Sequence, residues 1–211
     1  MKNPYGSNKS PKTIMDALET IKELFDKHGI FFWLEAGSLL GAVRDGRVIP
    51  GDDDGDISFW FKDFTKILKL KKEFKKRGYR LISPASKFEI LDSESNTHQV
   101  CLFAAEIKGD YVIKVKFTHH LNWLLIWLFH KNIFCFDYLL WKLVYALKLY
   151  TDAWVRCPAY MLGDFATISY YGKDYRIPEY SVNYLAFKYG DDWRTPRANY
   201  KGFKYRLKEL L

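Results

Sequence analysis

Cysteine is scarce in this chain of 211 residues: Cys101, Cys135 and Cys157 are the whole complement, with no CxxC pair. Such a sparse, odd-numbered set excludes a disulfide scaffold, carries no metal-ligand rhythm and fits a reducing compartment. The 5 histidines, His119 and His120 among them, lack ligand spacing as well and read as structural or surface residues. Long apolar runs are missing too. Trp123–Phe129 is uninterrupted, but a bilayer-spanning helix needs about 20 such residues. The polar N-terminus has no signal-peptide core. There is no internal repeat, low-complexity tract or linker.

What is present suits one folded domain with a sizeable core: 48% apolar and 18% aromatic residues. The formal charge is +8, from 33 basic and 25 acidic residues. A basic balance points to an anionic partner: a phosphorylated donor, a nucleic acid or an anionic membrane. The basic run Lys69–Lys76 reads as a solvated helix face rather than a nucleic-acid patch.

The stretch Trp33–Phe59 holds the densest chemistry. An apolar run ends at Ala36, Gly37-Ser38 follows, and Leu39–Arg44 has helical character. Asp52, Asp53, Asp54 and Asp56 come next, four carboxylates within five positions. Like charges so close repel one another. A divalent cation relieves that, and hard oxygen ligands suit Mg²⁺ or Mn²⁺. Asp54 and Asp56 are two apart, so an extended backbone points both to one face. A solvated acidic loop or a weak Ca²⁺ site is the bland alternative. The upstream pair tips the balance: Gly37 permits a tight turn, and a helix starting there offers N–H groups and a positive dipole end to phosphate. Ser38 adds a hydroxyl, and Arg44 a forked donor for phosphate oxygens. Asp52 and Asp53 orient the loop or bind metal through water. A phosphate cradle beside a metal site is equipment for phosphoryl or nucleotidyl transfer.

Gly37-Ser38, Gly41-Ala42-Val43-Arg44, Ile49-Pro50 and Asp52-Asp53-Asp54-x-Asp56 resemble the LicD/fukutin family of the nucleotidyltransferase superfamily. A second stretch agrees: Ile177-Pro178, Tyr184-Leu185, Tyr189-Gly190-Asp191-Asp192-Trp193 and Pro196. The resemblance implies an α/β (α+β) nucleotidyltransferase-like mixed β-sheet flanked by helices. It also implies transfer of a phospho-alcohol from a CDP-activated donor to a glycan acceptor, lipid-linked acceptors included. Eukaryotic relatives carry a membrane anchor; its lack here leads us to expect a cytoplasmic setting. Two departures stand out. Gly51 replaces the family's Trp, and Gly55 its apolar residue, and both are expected to loosen the aspartate loop.

Ser10-Pro11 reads as an N-cap and first helical residue, with Ile14, Leu18, Ile21 and Phe25 at helical spacing and Gly29 as the stop. Ile30–Ala36 and Asp56–Phe61 read as strands, with one helical stripe from Phe64 to Phe74. Further strands are expected at Tyr79–Ile82, Phe88–Leu91, Val100–Ile107 and Tyr111–Phe117, the last two joined as a hairpin. The superfamily's third carboxylate has no counterpart in Ile113–Phe117, where Lys114 and Lys116 stand. Glu106 is the stand-in. Either lysine serves a donor phosphate or is a plain surface residue. Trp-, Leu- and Phe-rich Leu121–Tyr150 has two readings, paired core helices or a peripheral membrane contact. Ala166–Pro178 reads as a hairpin around Gly172-Lys173, and a helix from Pro178-Glu179 ends at Gly190. Asp191 and Asp192 reach the donor site or merely cap and pack with Trp193. Arg197 to Lys208 form a solvated basic tail.

The expectation is therefore one domain over 1–211, with a core at about 13–118 and an elaboration at about 119–198. Asp54 and Asp56 bind the metal, with Glu106 as third catalytic carboxylate, and Gly37, Ser38, Arg44 and Asp53 hold substrate phosphate. Three competitors stay open: another small-molecule nucleotidyltransferase, a sugar-nucleotide glycosyltransferase, and an inactive glycan- or membrane-binding copy.

Overall fold

The computed structural model describes residues 9–82, 87–117 and 150–196. Helix α1 (Pro11–Lys27) begins as its sequence demands: the Ser10 hydroxyl accepts from the Lys12 N–H at 3.2 Å, and proline fills the first turn. Its stripe of Ile14, Leu18, Ile21 and Phe25 is fully buried, and Gly29, at φ +60°, ends it. Strand β1 (Phe32–Leu34) is shorter than the expected Ile30–Ala36. Glu35 turns the chain, and Ala36, at φ +41°, opens α2 (Ala36–Arg44).

Strand β2 (Gly55–Trp60) follows the aspartates. The expected single helical stripe is split at Leu70 into α3 (Phe64–Lys69) and α4 (Lys71–Lys76). Then come β3 (Tyr79–Ile82), β4 (Lys87–Asp92), β5 (His98–Lys108), β6 (Tyr111–Phe117) and β7 (Tyr150–Pro158). β7 is not legible beforehand, because Asp152 and Arg156 interrupt any apolar alternation. A separate hairpin, β8 (Phe165–Tyr170) and β9 (Lys173–Pro178), leads to α5 (Ser181–Tyr189).

The main sheet runs β1-β2-β5-β4-β3; β6 joins it through β5, and β7 pairs with β6. Only the β2–β5 pair is parallel, so the sheet is mixed. Alternation gives it two faces. Phe32, Ile57, Phe59, Phe88, Ile90, Val100 and Leu102 share one face, all essentially inaccessible to water. Helix α1 covers it, and Phe64 of α3 stacks on Phe88 at 4.4 Å between ring centroids. The opposite face carries Trp33, Asp56, Ser58, Trp60 and Cys101. The β8–β9 hairpin packs there through Phe165, 5.1 Å from Trp33. This is the mixed sheet flanked by helices that the resemblance implied.

Gly55 departs from expectation. It does not loosen the loop; it starts β2, pairs with Val100 and is buried. An added Cβ would lie 3.2 Å from Ile14 Cγ2 and 3.3 Å from Leu18 Cδ1, so glycine lets β2 press against α1. Gly51 sits at φ +89°, a conformation glycine adopts without strain.

Residues 121–149, with both readings of that segment, lie outside the described residues, as does the basic tail from Arg197. Among the described residues no helix is long and apolar enough to cross a membrane.

Filling the β2–α1 contact tests this packing. Gly55→Val should destabilise the protein by about 1–3 kcal/mol, the usual cost of overpacking. Urea denaturation checks it; an unchanged midpoint would show that β2 and α1 are not in tight contact.

Candidate active site

The junction between β1 and α2 carries a carboxylate that sequence reasoning missed. Glu35 is completely buried. Its Oε1 accepts from the Ala36 N–H at 3.1 Å and from the Tyr184 hydroxyl at 2.8 Å. Its Oε2 accepts from the Ser58 hydroxyl at 3.0 Å. Lys188 of α5 donates to Oε1, and Lys114 of β6 lies 3.4 Å from the same oxygen. Burial alone would push this carboxyl up; the two lysines and these hydrogen bonds outweigh it and hold the group far below its ordinary range. Lys114 is therefore not a surface residue. Burial pulls it down to about 8, with Glu35 resisting, and its ammonium rests 4.1 Å from the Phe103 ring centroid.

The aspartates converge a few ångströms away. Asp52, Asp53 and Asp54 each place one carboxylate oxygen within 4.8 Å of the others. Asp52 and Asp56 meet over Gly37. A Cβ there would sit 2.6 Å from Asp52 Oδ2 and 3.3 Å from Asp56 Oδ2, so residue 37 must be glycine for both carboxylates to close in. Burial, then Asp56, Asp54 and Asp53, push Asp52 up to about 7. Burial and Asp54 push Asp56 up to about 6, against the pull of Lys188, the Gly37 N–H and Lys114. Asp54 is also raised, by burial and by Asp53. Clustered carboxylates that resist ionisation are the electrostatic complement of a cation. An all-oxygen donor set fits Mg²⁺ or Mn²⁺.

Other expected site residues are placed differently. The Gly37 N–H does not face outward for phosphate; it donates to Asp56 Oδ2 at 3.0 Å. Glu35 and Asp56 thus take the positive end of α2, which a phosphate was expected to occupy. The Ser38 hydroxyl accepts from the Asp56 N–H at 2.9 Å, tying α2 to β2. Arg44 is a correction. It lies seven residues beyond Gly37, roughly 10 Å along the helix, and its guanidinium forks onto Asp45 at 3.0 and 2.7 Å. A sequence neighbour took the partner meant for phosphate. Glu106 is a second correction. Cys101 pairs with Asp56, and Glu106 is five residues further, roughly 16 Å along β5. Odd separation also turns it to the opposite face. Asp53 is exposed. Gly190, at φ +100°, ends α5, and Trp193 is buried, in line with the capping and packing role.

A group of mixed chemistry adjoins the aspartates. Asp54 Oδ2 is 3.3 Å from His98 Nδ1, and His98 Nε2 is 3.4 Å from Cys101 Sγ. Lys87 donates to that sulfur at 3.1 Å and pairs with Glu89 at 2.8 Å. No sequence spacing announces this group, because Asp54 and the β5 residues meet only through the sheet.

Gly37 and Ser38, in the first turn of α2, thus face aspartates that lead into β2 on a mixed sheet. The chain belongs to the LicD/FKTN/FKRP family, whose nucleotidyltransferase-domain model matches residues 29–180. An uncharacterized protein of Rickettsia typhi is 37% identical over 75 residues, 36% of this chain and 24% of that protein. Human and mouse ribitol 5-phosphate transferase FKRP are each 35% identical over 60 residues, 28% of this chain and 12% of theirs. These matches span a quarter or less of each relative. The lincomycin-bound lincosamide antibiotic adenylyltransferase LnuA aligns with a TM-score of 0.46 at 12% identity, over 89% of this chain and 95% of that one.

Two outcomes follow from the electrostatics. Asp52 and Asp56 have folded-state values above the ordinary 3.8. The native state therefore holds extra protons between about pH 4 and 7, and stability falls as pH rises through that window. Asp52→Asn should flatten the slope and stabilise the metal-free protein at pH 7.5 by on the order of 1 kcal/mol, read by urea melts at both ends of the window. Glu35→Gln should cost about 3–5 kcal/mol, because two buried lysines lose their counter-charge; a loss below 1 kcal/mol would contradict the pairing.

Proposed function

We propose that this chain transfers a phospho-alcohol from a CDP-activated donor to a glycan hydroxyl, with a divalent cation held by Asp54 and Asp56. The closing of Asp52 and Asp56 over Gly37, with Asp54 near enough to raise Asp56, supports this reading most directly. Family membership supports the donor and acceptor classes. The cation, Mg²⁺ or Mn²⁺, supplies positive charge to the donor diphosphate.

The chain's own residues do the rest. Gly37 leaves room for the carboxylates to close on one point. Ser38 holds β2 in place and has a hydroxyl proton to offer a phosphate oxygen. Asp52, beside the pair, takes the proton of the acceptor hydroxyl as general base. The acceptor oxygen bonds to the phosphorus bearing the alcohol, and the bond to the cytidylate oxygen breaks. CMP departs with that electron pair. Lys188 and Lys114, whose charges reach Asp56, offset part of the accumulated negative charge. Arg44 and Glu106 have no part in the reaction.

One observation favours a second reading. β5 places Cys101, not a carboxylate, beside Asp56. A glycan-binding copy without turnover would tolerate that. Calorimetry with CDP-choline, CDP-ribitol and CDP-glycerol, with and without Mg²⁺, separates the two. A transferase binds one of them only with metal and releases CMP.

Asp54→Ala combined with Asp56→Ala should lower CMP release by at least about 1000-fold, about 4 kcal/mol of transition-state stabilisation. Release at the wild-type rate, or release indifferent to chelator, would refute the assignment.

A further inference from the structure

We propose that Asp54, His98 and Cys101 form a binding site for a first-row transition cation, Zn²⁺ foremost, which shares Asp54 with the all-oxygen aspartate group and adds a nitrogen and a sulfur donor. It does not depend on the transferase reading.

The site is built by an irregularity in the sheet. His98 and Cys101 are three apart on β5, and a regular strand would turn them to opposite faces. Between Ile90↔Val100 and Leu91↔His98 the register shifts by one residue, and Gln99 is the extra one. The bulge brings His98 round to the face of Cys101. Re-aiming a side chain beside a site is what such bulges do. Gln99 is anchored for the purpose: it is fully buried, and its Nε2 donates to Thr97 Oγ1 at 2.7 Å.

The outcome is an imidazole, a thiol and a carboxylate offering one ligand atom each within 4.8 Å of one another. The His98 Nε2–Cys101 Sγ separation is 3.4 Å. Two ligands on a tetrahedral zinc lie roughly 3.5 Å apart, given Zn–N and Zn–S bonds of about 2.0 and 2.3 Å. Nitrogen and sulfur donors favour Zn²⁺ over Mg²⁺. Three protein ligands also leave a fourth position open.

The same three residues resemble a nucleophile, its base and an orienting acid. Access argues against that use. Cys101 is 4% exposed, and burial pushes its thiol up to about 12. A substrate carbonyl cannot reach the sulfur, whereas an ion can enter past His98, whose side chain is 31% exposed. The entering cation brings its own charge, the thiol gives up its proton, and Lys87 moves off the sulfur onto Glu89, which already holds it.

The test is Co²⁺ and Zn²⁺ titration of the full chain. Wild type should bind Co²⁺ with a thiolate-to-metal charge-transfer band, which Zn²⁺ abolishes by displacement. Cys157→Ser should keep the band. Cys101→Ser and His98→Gln should lose it and weaken Zn²⁺ binding by at least the 10–100-fold that loss of even an outer-sphere partner costs. No band in wild type, or a band that survives Cys101→Ser, would overturn the proposal. Should Cys101→Ser misfold, zinc-edge X-ray absorption of the wild type decides: one sulfur neighbour is expected, and a shell of oxygen and nitrogen alone would sink the site.

Discussion

The structure turns on one buried carboxylate. Glu35 ends β1, caps α2, accepts from Ser58 of β2, and meets Lys114 of β6 and Lys188 of α5. Five elements from distant parts of the sequence are tied at a single group. An ion this deep is costly to desolvate unless its partners are all in place. Lysine and tyrosine must therefore reach it together, which fixes α5 and the β5–β6 hairpin against the start of α2. Glu35 is linked to the aspartates through the backbone as well: its N–H donates to the Asp56 carbonyl at 3.0 Å.

The acidic group next door has the opposite difficulty. Glu35 has cations to spare, and Asp52 and Asp56 have too few. The two groups share a field. Lys188 and Lys114 draw Asp56 down while burial and Asp54 push it up. Neutralising Asp56 completely by protein lysines would leave nothing for a metal to do. Leaving it wholly unopposed would make the metal-free fold expensive. The observed arrangement lies between: Lys114 and Lys188 are engaged by Glu35, so the aspartates keep most of their appetite for a cation.

Much of this was legible in local pattern. The Ser10-Pro11 start and the turns at Gly109 and Gly172 are short-range signals, and they fall where expected. What escaped was long-range or depended on parity. Glu35 and Lys188 are 153 positions apart, and no spacing rule links them. Glu106 failed because one strand step reverses a side chain. Arg44 engages its neighbour Asp45, a local pairing that no motif marks. His98 shows no ligand spacing in the sequence, and the bulge at Gln99 that turns it to the face of Cys101 is invisible to any period-two reading.

The two glycines that flank this logic explain why the aspartates stay put. Gly37 removes a side chain on the open side, so Asp52 and Asp56 can close to contact distance. Gly55 removes one on the core side, so β2 sinks onto Ile14 and Leu18. Glycine costs roughly 0.5–1 kcal/mol of backbone entropy relative to alanine. Here that loss is set against close packing on one side and a hydrogen-bonded carboxylate on the other. A residue type usually read as flexible thus holds Asp56 between helix and turn. Placement of the carboxylates follows from contact on both faces of one strand, and not from stiffness of the loop that precedes it.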